Sequence, residues 1–144
     1  MSEEFKLGYF EKQIRTELIN FARCGAPTSY QKLCQTTNLQ LDMKIEAHRQ
    51  ELAEILDDIS VYEIIHKRPP LSAIVELAKE GNTESLPGNG FFKLCKKYET
   101  QLKDILQCAK LEPSISNKKE FAKVRQNDCY VFWKNIDNYK TYHY

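Results

Sequence analysis

Basic side chains occur at two places where they could contact nucleic acid. A predicted helix over residues 42–58, the third in the chain, carries Lys44 and Arg49 in its N-terminal half. Lys67 and Arg68 stand directly before a double proline, between two apolar runs. If these runs pair as a β-hairpin, the basic turn projects as a wing beside the third helix. A helix in the major groove and a wing on the backbone or minor groove would together bind duplex DNA.

Acidic side chains on the same helix oppose this interpretation. The predicted helix also carries Glu46, Glu51, Glu54, Asp57 and Asp58. Phosphate neutralisation by lysine and arginine dominates the affinity of proteins for DNA, and carboxylates near the phosphates are repelled. The formal net charge is only +1, from 21 Lys and Arg against 20 Asp and Glu. A protein-interaction module with the same fold therefore stays open as the alternative to DNA binding.

The C-terminal stretch CYVFWKNIDNYKTYHY, residues 129–144, is rich in aromatic side chains. Helical spacing places Phe132 in a core, but one helix face cannot bury all the tyrosines that follow. An exposed strip of aromatic side chains is typical of a partner interface. We therefore predict that Trp133, Tyr139 and Tyr142 would contact a protein partner or a second copy of the chain.

Neither the cysteines nor the histidines form a recognisable catalytic or metal-binding pattern. The cysteines are Cys24, Cys34, Cys95, Cys108 and Cys129, and the histidines are His48, His66 and His143. No pair has the spacing of a zinc site, and no C-x-x-C motif occurs. We predict a protein that is not an enzyme and uses no metal or cofactor. A Cys–His pair that meets only in space is still possible at this point.

The stretch LPGNGFF, residues 86–92, has two interpretations. Gly88 and Gly90 could expose backbone N–H groups at the start of a helix, where an anion would bind. The favoured interpretation is structural, with glycine allowing a tight turn and Phe91 and Phe92 entering the core. No Lys-Ser/Thr pair follows, as it would in a P-loop.

The predicted elements are three helices, a hairpin and two further helices. Apolar spacing predicts helices over residues 4–23 and 42–58, with a short helix between them that starts near Pro27. The runs VYEIIHK (61–67) and LSAIVEL (71–77) predict the hairpin strands. The last two helices are predicted over residues 91–109, with a break near KKYETQ, and 118–139.

Together these elements predict an α+β fold that is mainly α. Three helices and a hairpin form a winged-helix-like core over about residues 4–98, and a helical extension follows over about 99–144. A chain of 144 residues is a suitable length for one domain, residues 1–144. No basic apolar leader and no run of ~20 apolar residues occurs, so we expect a cytoplasmic protein that does not enter a membrane.

Several of these motifs carry a resemblance. The chain resembles a family of small bacterial proteins in which a Tyr-x-x-Leu helix precedes a Pro-Leu-Ser-Ala-Ile-Val strand. A Pro-Gly-x-Gly-Phe-Phe turn and a late tryptophan follow in that family. The matching residues here are Tyr30 to Leu33, Pro70 to Val75, Pro87 to Phe92, and Trp133. The resemblance covers about residues 28–133 and implies no particular activity.

A fainter resemblance is to the DNA-binding domain of the alkylguanine alkyltransferases, which also starts a short helix at a sequence like TSY. That family carries a Pro-Cys-His-Arg active-site motif. Here the corresponding region offers His66 and Arg68 without a neighbouring cysteine. The resemblance therefore implies a fold and not alkyl transfer.

Overall fold

The computed structural model describes residues 7–77, 86–105 and 116–144. Helices dominate these residues, and a small three-stranded sheet accompanies them. The prediction of an α+β fold that is mainly α is confirmed.

The first helix, α1, spans Tyr9–Cys24 and has well-defined ends. At its start the Glu11 carboxylate accepts a hydrogen bond from the Gly8 N–H at 2.6 Å, half of a capping box. At its end Gly25 adopts φ 68°, a left-handed conformation that glycine reaches without strain. The predicted end of this helix near residue 23 is confirmed, whereas the helix begins at Tyr9, later than the predicted residue 4.

A two-residue strand, β1 (Thr28–Ser29), leads into the short helix α2 (Tyr30–Thr37). The Ser29 hydroxyl accepts the Lys32 N–H at 3.1 Å and caps α2. Asn38, with φ 55°, ends the helix. The predicted short helix is therefore confirmed.

The third helix, α3, spans Glu46–Ile65 and is longer than predicted. Residues 61–65, assigned to the first strand of a hairpin, form the last turns of α3, so the hairpin prediction is wrong. The β-branched residues there gave a strand signal, but strand propensity depends on context and tertiary contacts override it. In this turn Ile64 and Glu63 are buried against the rest of the molecule.

The second half of the expected hairpin is also different. Residues Leu71–Ile74 form a 3-10 helix, and only Val75–Leu77 form a strand, β2. Strand β2 lies in the middle of the sheet, parallel to β1 and antiparallel to β3 (Leu86–Pro87). The double proline before Leu71 therefore leads into a buried turn and not into a wing strand.

The remaining helices are α4 (Asn89–Lys97), α5 (Glu99–Lys103), α6 (Lys118–Lys134) and α7 (Ile136–Tyr142). Helices α4 and α5 divide at Tyr98, as the predicted break near KKYETQ required, and the predicted residues 106–109 lie outside the described range. The last helix was predicted as one piece, but Asn135 caps a separate α7 by accepting N–H groups from Asp137 and Asn138.

One core joins these elements. Its completely buried side chains include Ile14, Leu18, Leu52, Ile59, Leu71, Ile74 and Trp133, which come from α1, α3, the 3-10 helix and α6. Burying each such side chain stabilises the fold by about 1.5–3 kcal/mol relative to leaving it exposed. This core fixes α3 against the small sheet and α4, and so positions the site described next.

Candidate ligand pocket

A cavity of about 280 Å³ opens between α3, the start of α2, strand β2 and the start of α4. Its polar lining residues are Tyr30, Glu46, Arg49, Gln50, Asp57, Ser72 and Asn89, and its apolar ones are Ala53, Leu56, Val75, Leu77 and Phe91. Concave sites with apolar walls and a few converging polar groups are the usual form of small-molecule sites. We call this cavity the α3–α4 pocket.

Two glycines of the sequence LPGNGFF form the floor of the α3–α4 pocket. A β-carbon built on Gly88 would lie 3.6 Å from the Tyr30 hydroxyl, and one on Gly90 would lie 3.6 Å from the Asp57 Oδ1. Neither glycine has a positive φ, so the backbone alone does not require glycine here. Because these two residues have no side chains, the backbone can lie close to the tyrosine hydroxyl and to the carboxylate.

Tyr30 and Asp57, the ionisable groups beside these glycines, both have raised pKa values. Burial raises the pKa of Asp57, and the nearby Glu54 carboxylate raises it further. Burial also raises the pKa of Tyr30, with a smaller contribution from Asp57. Removal from water disfavours the charged form of an acid. Shifted groups that converge on a cavity are a common mark of functional sites.

Ser72 adds a buried hydroxyl to the α3–α4 pocket. Its side chain accepts a hydrogen bond from the Ser60 hydroxyl at 2.6 Å, and its backbone N–H donates to the Ser60 oxygen at 3.0 Å. This double link ties the 3-10 helix to the middle of α3. It holds the Ser72 wall of the pocket in a fixed position.

Two of the four predicted DNA-binding residues lie at the N-terminal end of α3, and one of them lines the pocket. Arg49 is exposed, lines the pocket and donates to the Met43 carbonyl at 2.8 Å. Lys44 is exposed in the turn before α3, where its backbone N–H donates to the Asp42 carboxylate at 2.9 Å. Both therefore have side chains that solvent can reach.

The other two predicted DNA-binding residues lie at the opposite end of α3. Because α3 has 20 residues, its ends are about 30 Å apart, and Lys67 follows its C-terminus. Lys67 is exposed with φ 62°. The structure therefore does not bring the four basic residues onto one compact surface.

The prediction of Arg68 as an exposed tip residue is wrong, because Arg68 is only 5% exposed. Its Nε lies 2.7 Å from the carboxylate of Glu63, which Arg15 also contacts through Nε at 2.6 Å. Glu63 is completely buried. A charge is kept in such a position only when it is paired. The guanidinium group of Arg68 therefore neutralises the buried Glu63 carboxylate.

The side chains of the predicted aromatic strip make contacts within the molecule. Trp133 is completely buried, so its prediction as a partner contact is wrong. The ring of Tyr139 lies 3.8 Å from the Arg23 guanidinium carbon. Tyr142 is 39% exposed and stacks on Phe132 with ring centroids 6.0 Å apart. Tyr139 and Tyr142 stay predictions as partner contacts, although both hold α7 against the core.

Asp58 of α3 and Glu11 of α1 form an acidic pair that does not line the pocket. The pKa of Asp58 is raised to about 6 by partial burial, by a hydrogen bond with the Glu11 side chain, and by the charges of Glu11, Asp57 and Glu54. These carboxylates make this part of α3 unfavourable for contact with phosphate.

No group of three or more His, Cys, Asp or Glu side chains that could hold a metal occurs among the residues the structure describes. Cys34, Cys95 and Cys129 are buried, and Cys24 is exposed. Cys108 lies outside the described residues. Burial raises the pKa of Cys95 to about 12, so its thiol is inert at neutral pH. Of the described helices, none is long and apolar enough to cross a lipid bilayer.

Comparison with protein-family models, with curated proteins and with solved structures gave no match for this chain. The resemblances drawn from the sequence motifs therefore stay predictions.

Sequence reasoning missed Tyr30 and Asp57 as site residues. In the sequence, Asp57 stood out only as one of the acidic residues that oppose DNA binding, and Tyr30 only as part of a motif that resembles a bacterial family. The available signal was the Pro-Gly-Asn-Gly stretch, whose glycines border a cavity in the structure. The sequence could not show that these three parts of the chain meet.

Proposed function

We propose that this protein is a binding module that takes up a small ligand in the α3–α4 pocket. The observation that carries the proposal is that Tyr30 and Asp57 line the same cavity, each beside a glycine, Gly88 or Gly90. An unpaired carboxylate and a phenol that are partly removed from water lower stability unless they gain something in return. A ligand that hydrogen-bonds to both would supply that gain.

The size of the pocket limits the ligand. A volume of about 280 Å³ lies just below the usual range of roughly 300–1,000 Å³ for ligand sites. The ligand is therefore of metabolite size. The function proposed is binding without catalysis.

The test is a ligand screen against wild-type protein and two variants of one pocket residue. Gly90→Leu fills the pocket, whereas Gly90→Ala adds one methyl group at ordinary contact distance from Asp57. We expect small-molecule hits from thermal-shift or NMR screening to bind the wild type and to lose affinity in Gly90→Leu. Circular dichroism would confirm that both variants fold. Hits that bind Gly90→Leu as well as wild type would refute the pocket as the site.

Duplex DNA binding is a second candidate function, and one observation favours it. Three helices are followed by the antiparallel pair β2–β3, which is the element order expected of a winged-helix-like core. Lys44, just before α3, and Arg49, near the start of α3, are both exposed. In this proposal Lys44 and Arg49 contact DNA at the groove, and Lys67 contacts neighbouring backbone.

Salt dependence tests the DNA candidate. We expect binding of a mixed-sequence duplex to weaken by a factor on the order of ten to a thousand between about 50 and 200 mM salt if a few phosphates are contacted. A Lys44→Ala, Arg49→Ala double variant should lose this binding, and Lys12→Ala on α1 is the matched control. No binding at the lower salt concentration would exclude this function.

A further inference from the structure

We propose that the α3–α4 pocket binds a small organic cation, with a primary ammonium or guanidinium head held between Asp57, Tyr30 and the glycines Gly88 and Gly90. This inference rests on the ligand-binding function proposed above and names its ligand class. It follows from the charges, the aromatic walls and the size of the pocket.

We call the part of the pocket beside Asp57 its inner end. This part has a negative charge without a counter-charge. Asp57 lines it, and no lysine or arginine among the described residues forms an ion pair with this carboxylate. The one cationic side chain of the lining, Arg49, stands eight residues earlier on α3, about 12 Å along the helix axis. Its guanidinium group is held by the Met43 carbonyl at 2.8 Å. A cationic head group would therefore complete the inner end.

The titration behaviour of the two acids agrees with this charge deficit. Burial and the nearby Glu54 carboxylate both raise the pKa of Asp57, the direction expected for a carboxylate without a compensating cation. Burial raises the pKa of Tyr30 as well; its phenol is neutral at neutral pH, as in an ordinary tyrosine, and the oxygen can accept a hydrogen bond from an N–H group. The buried Ser72 hydroxyl supplies another oxygen on the same wall.

The walls suit a cation that carries a short hydrocarbon chain. Two aromatic residues, Tyr30 and Phe91, line the cavity, and a cation that reaches an aromatic face gains about 0.5–2 kcal/mol. Leu56, Val75 and Leu77 offer apolar surface for methylene groups. Agmatine and putrescine have this form and are small enough for the cavity.

An anionic ligand fits the inner end poorly. The start of α4 would attract an anion through its backbone N–H groups. However, the Asp57 carboxylate already lies beside it, with its Oδ1 3.6 Å from a β-carbon built on Gly90. Glu54 adds further negative charge near Asp57. Repulsion by these carboxylates favours cations over anions.

The experiment is calorimetric titration of the full chain with agmatine and putrescine, alongside succinate as the anion and 1,4-butanediol as the neutral compound. The variants are Asp57→Asn, Tyr30→Phe and the matched control Asp104→Asn, whose carboxyl group is exposed at the end of α5. We expect saturable binding of at least one cation, at least about tenfold weaker in Asp57→Asn. Tyr30→Phe should weaken binding roughly two- to tenfold, and Asp104→Asn should bind like wild type.

The outcomes separate the two proposals. Binding of succinate or butanediol in the pocket without binding of either cation would overturn the cation inference and leave the ligand-binding function standing. Cation binding that Asp57→Asn does not weaken would also overturn the inference, because the carboxylate would then play no part. Failure of all four compounds, together with a screen that yields no pocket hit, would overturn both.

Discussion

Helix α3 carries two partly or fully buried carboxylates whose surroundings differ sharply. Glu63, near the C-terminal end, is completely buried and lies within 2.7 Å of the Nε atoms of both Arg15 and Arg68. Asp57, six residues earlier, is half-buried beside an open cavity, with Glu54 rather than a cation as its charged neighbour. The first carboxylate is satisfied by the protein, whereas the second is available to a ligand.

The difference separates a buried charge that stabilises the fold from one that could bind a ligand. The Arg15 and Arg68 guanidinium groups exceed the single Glu63 carboxylate by one charge. A backbone carbonyl of the C-terminal segment partly compensates this excess positive charge, because the Tyr142 carbonyl accepts a hydrogen bond from Arg15 at 2.7 Å. Every group in that cluster has a partner inside the molecule. In the α3–α4 pocket, Asp57 has no such ion-pair partner among the described residues. The pocket is therefore the better candidate for binding.

The largest expected effect is at Glu63. Glu63→Gln leaves two buried guanidinium groups without a counter-charge, and removing one partner of a buried ion pair typically costs about 3–5 kcal/mol. The free energy of unfolding, measured by urea denaturation, should fall by that amount. The control is Glu99→Gln, which breaks the exposed pair with Lys103 at 3.8 Å and should cost less than about 1 kcal/mol. Equal losses in the two variants would contradict the structural role of Glu63.

Two glycines provide the next comparison. Gly25→Ala places a β-carbon on a residue with φ 68°, within 2.8 Å of the flexible Lys134 Nζ, and should destabilise the protein by about 1 kcal/mol. Gly90→Ala meets only ordinary contacts in the first turn of α4 and should stabilise by roughly 0.4–1 kcal/mol. Thermal unfolding of both variants checks the signs. A loss of stability in Gly90→Ala would mean that this glycine is needed by the backbone and not by the pocket.

The raised pKa of Asp58 should make the stability of the protein depend on pH. Its pKa is raised from 3.8 to about 6 in the folded chain, so the folded state binds more protons than the unfolded state between these values. Stability therefore falls as pH rises from about 4 to 6, and the loss is complete above that range. Asp58→Asn should reduce this slope in urea denaturation measured across the range. An unchanged slope would show that the pairing with Glu11 has no energetic consequence.

The smallest expected effect on stability is at Asp57. Because this carboxylate lacks an ion-pair partner among the described residues, Asp57→Asn should change the free energy of unfolding by no more than about 0.5 kcal/mol. The same urea experiment as for Glu63→Gln provides the comparison. A loss of several kcal/mol would show that Asp57 is structural, and would remove the contrast between the two carboxylates.

Much of the local structure could be predicted from the sequence. Apolar residues at helical spacing located α1 and α6, and the predicted end of the first helix near residue 23 was correct. These features depend on contacts between residues close in the chain. For that reason a single sequence carries enough information to find them.

The errors arose where distant contacts decide the outcome. The run VYEII has strand-like composition, but the burial of Glu63 between Arg15 and Arg68 favours a continued helix. Arg68 beside two prolines looked like an exposed turn, and nothing local indicates that its partner lies five residues earlier on a buried face. The pocket likewise joins Tyr30, Asp57 and Gly90, which are far apart in sequence and meet only in the folded chain.

The most direct measurement is a ¹⁵N–¹H correlation spectrum of the wild-type protein titrated with agmatine. If the α3–α4 pocket is the binding site, the amide signals of Gly88, Asn89 and Gly90 should shift first and saturate together with those of Ala53 and Asp57. The same titration of Asp57→Asn should leave the glycine signals almost unmoved. Saturable shifts confined to residues away from this pocket, such as α7, would contradict the assignment of the pocket as the functional site.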